Sequence, residues 1–291
     1  MTTVWLSVGL IAYFLTAVAF LIDKYLLAGP ARQPLAYAFW VAVFSAVVVI
    51  FIPFGVFIPS SFYLAVAFVS GATFFFGLIF LYRAIRKTDV SVASTKVSVV
   101  SVAFAYIFSV FLLGESFRLM DFAAFGVVMA GIFLLGKAGR SVWSEALLGG
   151  ILFGFSLVTL KLTFDMSDFV NGFFWTRVGF FGAALAMLIF SSARREIFKS
   201  YRGSPLFSKF LFLVSKGVAG VGFLLIDIAV NLGNVAIVNA LLGAQFLFIL
   251  VLALIFGKKI PAIAENMNFD VLIRKFSGAA LVVVGIILLF K

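Results

Sequence analysis

Run after run of apolar residues, each about 20 long and each closed by a turn and a few charges, fills nearly the whole chain. A helix of that length spans roughly 30 Å of hydrocarbon at 1.5 Å per residue. Ten such runs are read: 4–22, 35–57, 62–82, 90–113, 120–135, 146–164, 169–190, 209–232, 235–256 and 276–290. Some are shorter or longer than the ideal, a mismatch that tilt and snorkelling absorb. The composition agrees, since 65% of the 291 residues are apolar, 11% are charged and the mean hydropathy is +1.26. A soluble domain carries roughly 45–50% and 25%. The first run has no Lys or Arg before it and no small-residue cleavage site after it, so it is read as a true span rather than a leader.

Missing residue types narrow the chemistry. With no cysteine and no histidine, disulfides, thiol nucleophiles, the usual zinc sites and the commonest general acid/base are excluded. No HExxH, GxSxG or GxxxxGK[ST] pattern occurs. The expectation is a non-enzyme with no cofactor and no metal.

The net charge of +11 does not form a nucleic-acid patch, because the basic residues sit in short groups at span ends. Loops after odd-numbered spans hold sixteen Lys/Arg; loops after even-numbered spans hold Arg118, with Lys291 at the C-terminus. The positive-inside rule then makes the odd loops cytoplasmic and puts both termini outside.

The second five spans echo the first five. Lys24 and Lys161 stand near the ends of spans 1 and 6, and Ala38-Phe39-Trp40 in span 2 answers Phe173-Phe174-Trp175 in span 7. Spans 4 and 9 close on Gly114 and Gly257, and the glycine of span 5, Gly131, is matched by Gly285 in span 10. An odd number of crossings per half inverts one half relative to the other, the plan of many secondary transporters. The expected fold is all-α, an integral membrane protein of ten transmembrane helices in two inverted five-helix repeats, residues 1–140 and 141–291.

The stretch from Phe80-Leu81-Tyr82-Arg83-Ala84 to Ser94, then Leu112-Leu113-Gly114-Glu115, then Gly126 through Gly131 resembles the EamA repeat of the drug/metabolite transporter superfamily. Two departures stand out. The proline many members carry early in the fourth span of each repeat is absent, and Gly257-Lys258 replaces the second Gly-Glu. The resemblance implies a central cavity lined by the first four helices of each half, with the fifth outside. It also implies a prokaryotic inner-membrane setting and cytoplasmic termini, against the charge count.

Ionisable groups inside spans are costly and normally face a bundle interior or water. The embedded cations are Lys96, Lys161, Arg177 and Lys216, and Asp227 is the one clearly embedded acid; Asp23 sits at the edge of span 1. Arg177, eight residues or about 12 Å into its span, is the leading cavity candidate, with a structural ion pair to Asp227 as the alternative. Lys96 and Lys161 could instead snorkel. Asn239 and Gln245 are costly to bury unpaired. Ser91, Ser94, Ser98 and Ser101 share one face of span 4, and Trp40 and Trp175 are candidate aromatic walls. Proton coupling would call on Asp227.

The excess of cations suggests a small-molecule substrate bearing a carboxylate or phosphate. The leading function is a secondary carrier of a small polar metabolite working by alternating access. A multidrug or cation exporter is second: small relatives in this superfamily use a Glu in the first span, absent here. A non-transporting membrane subunit is third. The bilayer is the partner expected throughout, no nucleic acid is, and a homodimer is admissible.

Overall fold

The computed structural model describes residues 4–29, 33–114, 119–135, 140–233, 238, 241–264 and 268–289. All regular structure among them is helical: α1 Val4–Ala28, α2 Pro34–Phe44, α3 Ser61–Lys87, α4 Val90–Leu113, α5 Leu119–Leu135, α6 Arg140–Met166, α7 Phe169–Ala186, α8 Ser191–Arg202, α9 Leu206–Leu232, α10 Leu242–Phe256 and α11 Phe269–Leu289. Seven described helices are long and apolar enough to cross a membrane; α5, α10 and α11 are not among them. The chain is an integral, multi-pass membrane protein.

Span 2 changes character midway. After α2 the chain tightens into a 3₁₀ helix, Ser45–Phe54, through a β-branched run that carries Pro53. Proline has no N–H to give and its ring crowds the carbonyl four residues back, so an α-helical ladder is not sustained there. Gly55, at φ +97°, ends the segment in a conformation that suits glycine.

Two ends of the bundle are fastened differently. At one, the Lys24 ammonium at the end of α1 donates to the Ile85 and Thr88 carbonyls, 2.8 Å each, where α3 stops. A cation there satisfies orphan carbonyls and meets the negative end of the helix dipole. Lys87 pairs with Glu145 near the start of α6 at 2.8 Å, and Lys275 of α11 pairs with Asp89 before α4 at 2.9 Å. At the other end, Asn171 in the first turn of α7 bonds the Gly55 carbonyl and the Phe57 N–H. Trp5, near the start of α1, lies close to Gly233, after α9. Thus α6 begins at the end of the bundle where α1 finishes.

Close packing depends on small residues. A Cβ on Gly71 of α3 would overlap backbone atoms of Thr176, Gly179 and Phe180 in α7, and one on Gly179 would come within 2.6 Å of the Phe68 Cα. The α3–α7 seam is therefore closed backbone to backbone. The pair α5 and α11 packs together in the same way, with Gly131 against the Gly278 carbonyl.

Several expected boundaries move. Span 1 was read to end at residue 22, yet α1 runs to Ala28 because Asp23 and Lys24 are both satisfied inside the bundle. The long basic loop after span 7 contains α8, with Ala193 and Ile197 buried and Arg194, Arg195, Lys199 and Arg202 exposed. The loop 258–275 is shorter than expected, since α11 starts at Phe269.

Candidate functional site

A cavity of about 110 Å³ lies at the centre of the bundle, walled by α1, α3, α4, α6, α7, α9 and α10. Arg177 comes from the middle of α7 and Asp227 from the C-terminal third of α9. The Arg177 Nη2 donates to the Asp227 Oδ2, with the two side chains 13% and 4% exposed. The guanidinium also lies 4.9 Å from the Phe173 ring centroid and 5.6 Å from that of Phe74, so aromatic faces stabilise a cation shielded from water. Charge in this setting must be paired, because desolvation costs several kcal/mol per ion.

Most hydroxyls around the cavity are already occupied. Ser70 and Ser156 each donate to the other's backbone carbonyl at 2.8 Å, stapling α3 to α6. Thr176 and Thr16 bond back to their own helices. Gln245 is different: it is 1% exposed, lines the same cavity, and its Nε2 has no hydrogen-bond partner among the described residues. An amide donor left bare in a buried site costs about 1–3 kcal/mol, a cost that a ligand acceptor would remove.

A second charge cluster adjoins the first. Lys216 of α9 donates to both carboxylate oxygens of Asp23 at 2.7 Å; Tyr37 and Ser215 donate to Oδ1 at 2.7 and 2.8 Å. Its ammonium also sits over the Tyr37 ring at 4.9 Å. Both partners are almost wholly buried. A groove of about 360 Å³ between span 2 and α9 is lined by Asp23, Lys216 and Arg177 together.

The structure therefore gathers Arg177, Asp227 and Gln245 around one cavity and places Lys216 beside it. Ser98 and Ser101 line the cavity; Ser94 bonds the Val90 carbonyl instead. Four candidates lie elsewhere. Lys96 is fully buried against α6, its ammonium 4.5 Å from the Trp143 ring centroid. Trp175 donates to the Phe57 carbonyl at 2.9 Å and pins the loop after span 2. Trp40 stands at the α2–α8 interface beside Phe198. Lys161 forms an i,i+4 pair with Asp165 at the end of α6. Asn234, Asn239 and Glu115 lie outside the described residues.

Asp23, which the sequence places at the edge of span 1, is buried in the bundle. The available signal was Lys216: a cation seven residues into an apolar run needs an anion. The expectation that four helices of each half line the cavity also needs revision. Span 2 contributes no side chain to the central cavity and lines the neighbouring groove instead.

Residues 3–137 match the model of the EamA-like transporter family. The chain carries an EamA-like segment over just under half of its length, which places it in the drug/metabolite transporter superfamily. A solved crystal structure, 18% identical, superposes with a TM-score of 0.63 over 97% of this chain and 95% of its own, a likeness of fold. No curated protein matches the sequence. The matched region includes the Phe80–Ser94 stretch and supplies Asp23, while Arg177, Lys216, Asp227 and Gln245 all come from the other half.

Proposed function

We propose that this protein is a secondary carrier moving a small polar metabolite that bears a carboxylate or phosphate. It would work by alternating access between two inverted five-helix repeats, residues 1–140 and 141–291, in a prokaryotic inner membrane. The observation that carries the reading is the central cavity with one charge pair and one unpaired amide. An arriving anion competes with Asp227 for the Arg177 guanidinium, whose planar fork suits carboxylate and phosphate, while the Gln245 amide supplies a further donor. Binding then replaces an internal ion pair with an external one, and the displaced Asp227 carboxylate must take up a proton, because a buried charge without a partner costs several kcal/mol. The opposite directions of α1 and α6 support the inversion, and the packing of α5 on α11 away from the cavity supports the five-helix division.

The test is uptake into proteoliposomes with amino acids, nucleotides and organic cations as the panel. Saturable flux of an anionic or zwitterionic solute, lost in Arg177→Ala and weakened in Gln245→Leu, is the expected result. Flux confined to organic cations would favour the exporter reading, for which the burial of Asp23 in the first span is the relevant feature. Against it, that carboxylate already accepts from Lys216, Tyr37 and Ser215. No flux with any solute would leave the non-transporting subunit.

A further inference from the structure

We propose that the groove between α2, α8 and α9 is a binding site for an anionic phospholipid, with the headgroup against α8 and the start of α9 and an acyl chain running down the α2–α9 seam. The inference goes beyond transport and does not depend on it. A cavity of about 300 Å³ opens here, outside the central site. Its lining is polar toward α8 and the start of α9, with Ser200, Ser204, Ser208 and Lys209, and apolar elsewhere, with Phe44 and Leu213 among the walls. Phe44 also lines the 360 Å³ groove that continues along α9 past Gly217 and Gly220. A Cβ on either glycine would meet nothing within 4 Å, so the seam has room for a hydrocarbon chain along its length.

Charge complementarity selects the headgroup. α8 presents Arg194, Arg195, Lys199 and Arg202 to solvent around a single acid, Glu196, and Lys209 is among the residues lining the groove. Its opposite face is sunk into the protein through Ala193 and Ile197. An amphipathic helix with that layout lies in the membrane interface, and basic pockets between transmembrane helices hold anionic headgroups. A zwitterionic lipid would fit the seam but would bring no net negative charge to meet the excess positive charge of α8.

Trp40 lines the groove and serves as the reporter. The protein is reconstituted with brominated phosphatidylglycerol or brominated phosphatidylcholine of the same chains. Quenching of Trp40 is taken as the difference between wild type and Trp40→Phe. The expected result is stronger quenching by the anionic lipid at equal dilution. That preference should fall about fivefold for each cation removed among Lys199, Arg202 and Lys209 (each →Gln), and it should shrink in 1 M salt, where the Debye length is about 3 Å. Equal quenching by both lipids would overturn the proposal, as would identical quenching of wild type and Trp40→Phe. A second measurement needs no basic substitution: Gly217→Leu fills the apolar seam. Mass spectrometry of the purified protein should find bound anionic phospholipid retained by wild type and lost from Gly217→Leu. Undiminished retention in that variant would place the lipid elsewhere and refute the site.

Discussion

The α3–α7 seam and the α2–α9 seam are built from similar materials and finished differently. In the first, Gly71 and Gly179 let two backbones touch. In the second, Gly217 and Gly220 of α9 face a groove, and the helices meet through side chains such as Tyr37 against Phe212, 5.1 Å between ring centroids. In the proposed repeat arrangement, α3 corresponds to α9 and α7 to α2, so these are two versions of one contact. A bundle that holds one closed and the other open is asymmetric in the way a carrier caught in one of its two states would be. Gly217 and Gly220 leave α9 smooth along this seam, which can therefore close once the acyl chain proposed for it has moved out.

The largest expected contrast is between glycines. Gly71→Leu places side-chain atoms where the α7 backbone already lies, and overpacking against backbone cannot be relieved by a rotamer change. It should destabilise the protein by more than about 3 kcal/mol and abolish a monodisperse peak on size exclusion. Gly220→Leu should change the melting temperature in detergent little, at most the equivalent of about 1 kcal/mol, since a leucine there meets open space and gains helix propensity. Equal damage from the two substitutions would break the comparison.

Next in size is the ion pair beside the open seam. Asp23→Asn leaves Lys216 a buried, uncompensated cation and should cost about 3–5 kcal/mol. The double change Asp23→Leu with Lys216→Met removes both charges and should recover most of that loss, read as the melting temperature of the purified protein. If the double variant is no better than the single, the pair is not what anchors α1 to α9.

The smallest effect lies where span 2 is tied to the closed seam. Asp168 caps α7, accepting from the Asn171 N–H and the Asn171 side chain at 2.8 Å each. Burial works to raise its proton affinity, but these hydrogen bonds together with one from Ser167 outweigh it, and the carboxyl is held below its ordinary value. A depressed folded-state pKa means the contribution is complete above the unfolded value of about 3.9 and fades as pH falls through the folded value. Asp168→Ala should cost about 1 kcal/mol at neutral pH, and the difference from wild type should vanish in acid.

Much of this was legible in the residues. Apolar run length located the seven described helices that are long enough to cross a membrane, and the cost of burying charge singled out Arg177 and Asp227. Boundaries failed where charge was satisfied internally, since Asp23 and Lys24 look like a loop until Lys216 and the end of α3 are brought to them by tertiary packing. α8 carries a helical pattern, with Ala193 and Ile197 four apart, but its five charges within twelve residues set it apart from the apolar runs. Trp40 and Trp175 show the limit of aromatic residues as markers: in a chain with 40 Phe, only the fold tells which ring meets a cavity.

Because the chain contains no cysteine, a pair introduced at Val47 and Gly220, both lining the open groove, reports directly on whether that seam closes during transport. Oxidation in proteoliposomes should trap the disulfide more often when a transported solute is supplied, stop flux, and release it again on reduction. A cross-linked protein that carries solute at the wild-type rate would show that the α2–α9 seam need not open and close, and would contradict the account.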